Sequence, residues 1–471
     1  MILEYFKKIS QIPRASYHEE QIADYLVEFA QKRQLEYYRD ELHNVIIKKP
    51  ASAGYEQSAP IILQGHTDMV AEKNKDSNHD FDRDPLDLYE DDGWLKARGT
   101  TLGADDGVAV AYMLAILDDA SLSHPPVECV FTVQEEVGLD GAIALDVSVL
   151  DGKRLIGLDA SGEHQTTISS SGGSRAYIEF PIKYEKSYKT RLTILVKGLK
   201  GGHSGQDIDQ ERANAIKLAG ELFINLLEKH EIGLHEIEGG LKENAIPREA
   251  QLVIGTKPEF VEDIVEDLKQ LEAQIKNMLL ISDPDFELDL QVEAKDTYTL
   301  GQRDNKLLAA LWQMLPYGYF HKSFVIDGLT LSSCNVGTVR TEENSINFAL
   351  SIRSPQPYMM NKTKTTVQVA CDLTGAEATF TEGYPGWDYD PNSKLRETLL
   401  ASYRELYDQE MALEATHGGL ELGIFKGKIP ELDIVAFGPI MHDIHTPEER
   451  LDLASFQRTY DLLIQLLRNL K

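Results

Sequence analysis

Four short apolar segments of the chain predict buried strands. They are Ile61 to Leu63, Val127 to Val133, Leu155 to Leu158 and Ile434 to Phe437. Helical segments such as Ala109 to Leu117 lie between strands of this kind. Alternating strands and helices predict a parallel, doubly wound sheet. Such sheets hold their ligands beyond the carboxyl ends of the strands, so the residues found there are the first candidates for a functional site.

Histidine and carboxylate side chains follow all four segments. His66 and Asp68 follow the first, Glu135 and Glu136 the second, Asp159 the third, and His442 and His445 the fourth, while Asp105 and Asp106 stand at a helix start. One such residue alone is usually a solvated loop residue or a helix cap. Carboxylates that meet at one sheet edge, however, repel one another and raise each other's pKa, and bound metal ions remove that repulsion. The sequence therefore predicts a metal centre at this edge.

The charge of the predicted ligands indicates two ions rather than one. Three ligating carboxylates and a bridging hydroxide balance two Zn²⁺ ions, whereas a single ion would leave the site anionic. Zinc accepts mixed histidine and carboxylate ligands, and ions paired about 3.5 to 4 Å apart recur in hydrolytic enzymes. Mn²⁺ or Co²⁺ could occupy the same ligands.

The composition indicates a soluble chain of a reducing compartment. Its 471 residues exceed one ordinary core and favour two domains. A formal charge of −30 argues against nucleic acid or an anionic membrane surface as a partner. The three cysteines are widely spaced, the amino terminus lacks the apolar core of a signal peptide, and the longest apolar stretch, Val108 to Leu117, is about half of a membrane span. We therefore expect a cytoplasmic protein.

The middle of the chain follows a different pattern. Strands there alternate polar and apolar residues, as in Ser345 to Arg353, which predicts an antiparallel sheet with one solvated face. A charged helical stretch, Phe260 to Leu280, lies among them. The Pro- and Gly-rich segment GYPGWDYDPNS, residues 383–393, marks the return to the first pattern.

Together these patterns predict an α/β fold with two domains. Residues 1–175 plus 387–471 would form a doubly wound, mostly parallel sheet domain, and residues 176–386 an inserted α+β domain. A helix is expected to start the chain, because Ser16 to Glu19 has the spacing of a capping box and Ile22, Leu26 and Phe29 then recur on one face.

Five motifs around the candidate residues resemble those of the co-catalytic zinc metallopeptidases of the aminoacylase and glutamate-carboxypeptidase type. They are GHTDMV, GADDG, QEEVG, GLDAS and HTPEER, in this order. Within that group, LKGGHSGQDI, ENAIPR, THGGLELGIF and GYPGWDYDPNS resemble the aminoacyl-histidine dipeptidases, also called cytosol non-specific dipeptidases. The resemblance covers nearly the whole chain and implies that the inserted domain is a lid.

The resemblance also implies a role for each residue at the predicted sheet edge. His66 and Asp159 would bind one zinc ion, Glu136 and His445 the other, and Asp105 both. Asp68 would orient His66 and raise its basicity. Glu135 would be the general base that takes a proton from water and passes it to the leaving amine. The HTPEER motif favours His445 over His442 as the ligand.

In the inserted domain the expected roles are contacts with the substrate. By the resemblance, His203 in the turn Gly201 to Gly205 would help to polarise the scissile carbonyl, either on lid closure or from the other chain of a homodimer formed through the lid domain. Arg353 lies on the polar side of its predicted strand and would bind a substrate carboxylate. Asn244 and the loop from His417 to Glu421 are further candidates. A purely structural role is the alternative for each of them.

The expected activity is metal-dependent hydrolysis of short peptides, above all unblocked dipeptides, including Xaa-His. A tripeptidase and an N-acyl amino acid hydrolase or deacetylase are alternatives with the same metal centre. A non-catalytic peptide-binding or metal-binding homologue is the alternative from another class. The intact ligand set with Glu135 argues against it, because a binding protein needs no free base beside its ions. No G-x-S-x-G, P-loop or H-E-x-x-H motif is present.

Overall fold

The computed structural model describes residues 1–326 and 329–471. They form two compact units, each with its own hydrophobic core. The first unit contains Met1–Ser170, Trp387–Ala415 and Leu420–Lys471, and the second contains Ser171–Gly386 and Thr416–Gly419. The boundary predicted between residues 175 and 176 falls inside a strand of the second unit.

The helices of the described residues alternate with strands along most of the chain. They are α1 (Ile2–Ile9), α2 (Glu20–Arg33), α3 (Ala104–Asp118), α4 (Asp140–Ala144), α5 (Ala215–Lys229), α6 (Val261–Met278), α7 (Gln302–Met314), α8 (Pro357–Thr374), α9 (Lys394–Tyr407), α10 (Glu421–Lys428) and α11 (Leu453–Asn469). Short 3-10 helices lie at Val147–Val149, Ile208–Gln210 and Pro258–Phe260.

The strands of the described residues fall into several sheets. They are β1 (Glu36–Arg39), β2 (Val45–Lys49), β3 (Ile61–His66), β4 (Leu88–Asp91), β5 (Trp94–Ala97), β6 (Val127–Thr132), β7 (Arg154–Gly157), β8 (Gln165–Ser170), β9 (Gly172–Pro181), β10 (Tyr184–Tyr188), β11 (Thr190–Lys197), β12 (Gly202–His203), β13 (Ile232–Gly239), β14 (Ala245–Ile246), β15 (Ala250–Thr256), β16 (Glu287–Glu293), β17 (Thr297–Leu300), β18 (Gly318–Lys322), β19 (Thr330–Thr341), β20 (Ser345–Ser354), β21 (Glu377–Phe380), β22 (Ala412–Thr416), β23 (Asp433–Ala436), β24 (Met441–His442) and β25 (Arg450–Asp452).

An eight-stranded sheet lies at the centre of the first unit, in the order β1-β2-β6-β3-β7-β23-β8-β22. Its middle strands β6, β3, β7 and β23 are parallel, and they are the four segments that the apolar runs predicted. The strands β1, β2 and β8 pair antiparallel, so the sheet is mixed towards its edges. The predicted α/β class is confirmed, and the carboxyl ends of the four parallel strands lie at one edge.

Close packing of β3 against α3 brings two candidate segments together. All six residues of β3 are buried, and α3 is buried on every side from Asp106 to Leu117, as expected for a helix that is apolar all round. A Cβ atom at Gly65 would lie 2.3 Å from the Cβ of Ala109 and 2.4 Å from Oδ2 of Asp106. A glycine is therefore needed at Gly65, and the end of β3 meets the start of α3.

A second sheet of the first unit, in the order β24-β25-β5-β4, carries the carboxyl-terminal candidates. Strands β24 and β25 pair antiparallel, with Met441 opposite Leu451 and His442 opposite Arg450. The turn between these two strands, residues 443–449, contains His445.

The predicted start of the chain needs correction. Helix α2 has Ile22, Leu26 and Phe29 on its buried face as predicted, but α1 precedes it. No side chain caps the amino terminus of α2, and the hydroxyl of Ser16 donates instead to Asp68 at 2.8 Å. Ser16 to Glu19 has the spacing of a capping box, but the hydroxyl of Ser16 forms a tertiary hydrogen bond with Asp68 and does not cap the helix.

The second unit is an antiparallel α+β structure, as predicted. Its main sheet has the order β16-β11-β15-β13-β19-β20-β9-β21, with β18 paired to β19. Helices α5, α7 and α8 supply core residues. The indole of Trp312 on α7 packs edge-on against Phe348 and donates to the carbonyl of Ile216, so one side chain joins α7, β20 and α5.

The prediction of a solvated face is wrong for β20. Ser345, Ser351 and Arg353 are each less than 10% exposed, and β20 is flanked by β19 and β9. Polar residues at alternate positions of a strand usually face water, but here they form a buried polar face. Buried polar groups need partners inside the protein or from a ligand.

None of the helices within residues 1–326 and 329–471 combines the length and the apolar character that crossing a membrane requires.

The contact between β3 and α3 yields a test of the fold. Replacement of Gly65 by alanine should lower the free energy of unfolding by about 1 to 3 kcal/mol, because the new methyl group overlaps Ala109. Denaturant unfolding of the metal-free protein measures this cost. The double variant Gly65→Ala, Ala109→Gly removes the overlapping methyl group and should cost less than the sum of the two single changes. Additive costs would contradict the close approach.

Candidate metal centre

His66, the last residue of β3, is fully buried and held at both ring nitrogens. Its Nδ1 lies 3.1 Å from the carbonyl oxygen of Asp68 and 3.3 Å from the carboxylate of the same residue. Its Nε2 lies 2.9 Å from Oδ1 of Asp105. Although burial opposes the charged ring, the hydrogen bonds to Asp105 and Asp68 raise the pKa of His66 well above its usual range. With Nδ1 held by Asp68, Nε2 is the nitrogen that would give up its proton to bind a cation.

Asp105 places one carboxylate between two imidazoles. Its Oδ1 faces Nε2 of His66 at 2.9 Å, and its Oδ2 faces Nε2 of His445 at 3.3 Å. The peptide bond between Asp105 and Asp106 is cis. Although burial opposes ionisation, hydrogen bonds from His445 and His66 hold the pKa of Asp105 well below its usual range. Two oxygens that face two different histidines fit a ligand that would bridge two cations.

Glu136 approaches His445 without forming a hydrogen bond. Oε1 of Glu136 lies 2.9 Å from Nε2 of His445, yet this buried oxygen has no hydrogen-bond partner among the described residues. Ligand atoms of Asp105, Glu136 and His445 all lie within 4.8 Å of one another. Atoms that crowd together in this way, without hydrogen-bond geometry, point to a common centre.

Asp159 belongs to a second group of close ligand atoms. His66, Asp106 and Asp159 each offer an atom within 4.8 Å of the others. Asp106 accepts from the backbone N–H groups of His66 and Ala109, both at 3.3 Å. Each of its two carboxylate oxygens therefore already has a hydrogen-bond donor. Burial and the charge of Asp105 raise the pKa of Asp159 to about 8.

Asp68 fixes the turn that carries the two adjacent glutamates. Its carboxylate accepts from the backbone N–H groups of Glu135 at 3.1 Å and Glu136 at 3.3 Å, while it also faces His66. The side chain of Glu135 joins those of His66 and Glu136 in a third group of atoms within 4.8 Å. Burial raises the pKa of Glu135 well above its usual range, and Asp159 raises it further.

These residues fit a pair of divalent cations. The group combines two imidazoles with carboxylates that repel one another, and the raised pKa of Asp159 shows how unfavourable their charge is without a cation. Oε1 of Glu136 is buried and accepts no hydrogen bond from the described residues, so a bound cation would satisfy this oxygen. Histidine and carboxylate ligands together suit zinc and related ions.

The sequence analysis did not predict the buried side chains that bind the backbone of the ligand-bearing segments. The buried guanidinium of Arg14 donates to the carbonyl oxygens of Thr67, Asp68 and Gly103. The buried carboxylates of Glu19 and Glu449 accept from backbone N–H groups next to the candidate ligands. The last of these stands in the HTPEER motif, four residues after His445, but contacts to backbone atoms leave no pattern in a sequence.

In the second unit, His203 is held as a hydrogen-bond donor. Its Nδ1 accepts from the backbone N–H groups of Gly205 and Gln206, both at 3.2 Å. Burial and the charge of Arg353 lower the pKa of His203. The ring is therefore neutral with its proton on Nε2, which can donate to an oxygen atom.

Arg353 is a buried cation without a carboxylate partner in the described part of the chain. It is 7% exposed, its Nη1 donates to the hydroxyl of Tyr384 at 3.2 Å, and its Nε has no hydrogen-bond partner among residues 1–326 and 329–471. A buried guanidinium normally pairs with an anion. Its donors are therefore suited to a ligand carboxylate.

His417 is buried between two hydroxyl groups, whereas the side chain of Asn244 is exposed. The ring nitrogens of His417 lie 2.7 Å from the hydroxyl of Ser171 and 2.6 Å from that of Ser333. Burial and nearby Arg353 lower the pKa of His417 to about 3, so the ring is neutral. The side chain of Asn244 is exposed, and its carbonyl oxygen accepts from the N–H of Ser204 at 2.9 Å.

Glu421 begins α10 in the first unit and is buried. Its Oε2 accepts from Gln64 at 2.6 Å and from Thr132 at 2.7 Å, and its Oε1 is buried without a hydrogen-bond partner in the described part of the chain. Burial raises the pKa of Glu421 to about 7. The candidate residues are thus placed, and their roles in binding and catalysis stay predictions.

Known proteins resemble this chain over nearly its full length. Residues 62–469 match the model of peptidase family M20/M25/M40. The cytosol non-specific dipeptidase of Escherichia coli (strain K12) is 35% identical over 468 residues, which covers 99% of this chain and 96% of that protein. The crystal structure of aminoacylhistidine dipeptidase from Vibrio alginolyticus has a TM-score of 0.94 at 34% identity and covers 99% of this chain and 96% of that chain.

A more distant structure shares the fold alone. Aminopeptidase PepT from Bacillus cereus has a TM-score of 0.57 at 16% identity, with 100% of this chain and 98% of that chain covered. The full-length matches confirm the resemblance to the aminoacyl-histidine dipeptidases that the sequence motifs indicated.

Two histidines of one segment provide a test of the ligand set. His445 faces Asp105 and Glu136, whereas exposed His442 packs against Trp94 with 5.4 Å between ring centroids. His445→Ala should remove one of two metal equivalents, because it deletes a ligand atom, and His442→Ala should keep both. Calorimetric titration of the metal-free protein with Zn²⁺ counts them. Loss of an equivalent in His442→Ala, or two full equivalents in His445→Ala, would contradict the assignment.

Proposed function

The chain belongs to peptidase family M20/M25/M40, and we propose that it is a dipeptidase with two divalent ions that hydrolyses unblocked dipeptides, including Xaa-His. Family membership makes the chain a peptide-bond hydrolase, and two similar proteins of nearly the same length are named dipeptidases. The observation that carries the two-ion part is the carboxylate of Asp105, with its two oxygens 2.9 Å from His66 and 3.3 Å from His445.

The ligand assignment combines the resemblance with the close atoms. Asp105, Glu136 and His445 form one group of close atoms, whereas the group around Asp159 contains His66 and Asp106, and Asp105 reaches it through its 2.9 Å contact with His66. His66, Asp105 and Asp159 would hold one ion, and Asp105, Glu136 and His445 the other. We assign Zn²⁺, which suits these ligand types, with Mn²⁺ or Co²⁺ as alternatives. When bound, the ions would polarise the scissile carbonyl and make a water molecule easier to deprotonate.

Glu135 is the proposed general base. Asp68 holds the backbone of both Glu135 and Glu136, so the two side chains leave a fixed turn side by side. Glu136 and His445 meet at 2.9 Å, which supports Glu136 as the ligand of an ion and Glu135 as the carboxylate that takes a proton from water. The same carboxyl group then gives the proton to the nitrogen of the leaving amino acid.

The second unit supplies the proposed substrate contacts. Nε2 of His203 would donate to the carbonyl oxygen of the scissile bond, where negative charge develops. The fixed tautomer supports this role, because Nδ1 already accepts two backbone hydrogen bonds. Arg353 would bind the substrate carboxylate with its unused donors, and neutral His417 and Asn244 would complete the surroundings of that carboxylate.

Glu421 is the proposed partner of the substrate's free ammonium group. Its Oε1 is buried and lacks a hydrogen-bond donor, which a substrate ammonium would provide. With Arg353 at the carboxylate, each charged end of a dipeptide would have a partner of opposite charge. Blocked or longer peptides would then leave one charged group without its partner.

The cellular setting and the partners follow the same comparison. We propose a cytoplasmic location, in line with the cytosol non-specific dipeptidase that this chain resembles, and short peptides as the binding partners, without nucleic acid or membrane. His203 could serve its own chain or the second chain of a homodimer. Mixing inactive His203→Ala chains with inactive Glu135→Gln chains decides between these two, since only action between chains restores activity.

The adjacent glutamates test the division between base and ligand. Glu135→Gln should lose about two to four decades in kcat and keep both metal equivalents, because only the proton acceptor is removed. Glu136→Gln is the matched control with the same change of charge, and it should lose metal. Turnover and metal content of both variants are the measurements. Equal metal loss in the two variants would show that the roles are assigned wrongly.

The two charged ends of the substrate test the specificity. An unblocked dipeptide should be hydrolysed faster than its N-acetyl form, its C-amide form or a tripeptide. Arg353→Gln should weaken binding of the unblocked dipeptide by about 2 to 5 kcal/mol, because a buried charged pair is broken, and change the C-amide form little. The control is Arg175→Gln on the neighbouring strand β9, where Arg175 is exposed and pairs with Glu243 at 2.8 Å.

The same substrate panel separates the alternatives. Faster turnover of the N-acetyl form would indicate a deacetylase or acyl amino acid hydrolase, and faster turnover of the tripeptide a tripeptidase. Bound metal without hydrolysis of any of these peptides would indicate a peptide-binding homologue. Each of these results would overturn the dipeptidase proposal.

A further inference from the structure

Two ligands of the proposed second ion come from distant parts of the chain. Asp105 stands at the start of α3, and His445 stands in the turn between β24 and β25. Their facing atoms, Oδ2 and Nε2, are 3.3 Å apart. A shared ion tolerates only small errors in such a distance, so a contact outside the ligand set must hold the two segments together.

Glu449 makes that contact through its buried carboxylate. Oε2 accepts from the backbone N–H groups of Leu102 at 2.7 Å and Gly103 at 2.9 Å. Oε1 accepts from those of Ala104 at 2.8 Å and Asp105 at 3.3 Å. All four donors belong to the loop and first turn of α3, where N–H groups have no partner within the helix and where a negative charge is favoured.

The backbone of Glu449 belongs to the segment of the other ligand. Its N–H donates to the carbonyl oxygen of Thr446 at 3.1 Å and so closes the turn that carries His445. The Thr446 hydroxyl in turn donates to the carbonyl of Asp443 at 2.7 Å. One residue therefore closes the His445 turn with its backbone and holds the Asp105 loop with its side chain.

A different residue ties the Asp105 loop to the segment of His66. Arg14 donates to the carbonyl oxygens of Thr67 and Asp68 on one side and of Gly103 on the other. The loop before α3 is thus held through its carbonyl group by Arg14 and through its N–H groups by Glu449. These two contacts serve different ligand pairs, Asp105 with His66 and Asp105 with His445.

We propose that Glu449 is a positioning residue that sets the geometry of Asp105 and His445 and thereby the affinity of the ion they share. Its carboxylate accepts from four backbone N–H groups, so it would act on the ion only through Asp105 and His445. The inference rests on the proposed two-ion centre. Loss of the Glu449 carboxylate should weaken one ion selectively, because Arg14 still holds Asp105 against the segment of His66.

The test is the variant Glu449→Gln, which keeps the shape of the side chain. An amide offers one oxygen, and its NH₂ group would face two of the four N–H donors. Calorimetric titration of the metal-free protein with Co²⁺ should show one equivalent weakened about 10- to 100-fold and the other changed less than about threefold. Saturating Co²⁺ should restore kcat with KM unchanged, which a distorted substrate site would not allow.

Glu448→Gln is the matched control, because Glu448 is the exposed neighbour and undergoes the same change of charge. It should bind both equivalents as the original chain does. In a His445→Ala background, where the shared ion has already lost a ligand, Glu449→Gln should have no further effect on the remaining equivalent. That comparison also holds if the single variant is less stable, since both chains of the pair can be titrated after their fold is verified by circular dichroism.

Three results would overturn the proposal. Equal weakening of both equivalents would make Glu449 a general structural residue, and unchanged affinity of both would remove its role. A further loss in the His445→Ala background would show that Glu449 acts on the other ion. If the unaltered chain bound fewer than two equivalents, the proposed two-ion function itself would fail, and the selective role of Glu449 with it.

Discussion

Repulsion among partly buried carboxylates is the constraint on which the rest of the structure depends. Asp105, Glu135, Glu136 and Asp159 meet at the carboxyl end of a parallel sheet, with His66 and His445 between them. Charges this close and this poorly hydrated are unfavourable unless protons or cations balance them. Two bound cations would balance them and would at the same time create the electrophile that a peptide-bond hydrolase requires.

The fold brings these charges together at positions that backbone hydrogen bonds then fix. Four parallel strands end at one edge, and Gly65 lets α3 approach β3 closely enough to place Asp105 beside His66. Asp68 holds the turn of the two adjacent glutamates by two N–H groups, and Glu449 holds the start of α3 by four. Buried carboxylates without a role as ligands thus act as acceptors for the loops that present the ligands.

The sequence alone predicts the parallel strands and the charged residues that follow them, but it does not predict the contacts that hold the loops. A buried parallel strand is a short apolar run, so β3, β6, β7 and β23 could be predicted, together with the charged residues after them. Ser16 had the spacing of a helix cap but donates to Asp68, and the alternating residues of β20 are buried rather than solvated. The contacts of Arg14 and Glu449 run to backbone atoms of loops that only the folded chain brings near, so no local pattern reveals them.

The most direct test of the two-ion centre is anomalous diffraction from crystals grown with Zn²⁺ and recorded on both sides of the zinc absorption edge. We predict two peaks about 3.5 to 4 Å apart with the carboxylate of Asp105 between them, one next to His66 and Asp159 and the other next to Glu136 and His445. A single peak, or two peaks that do not share Asp105, would contradict the account.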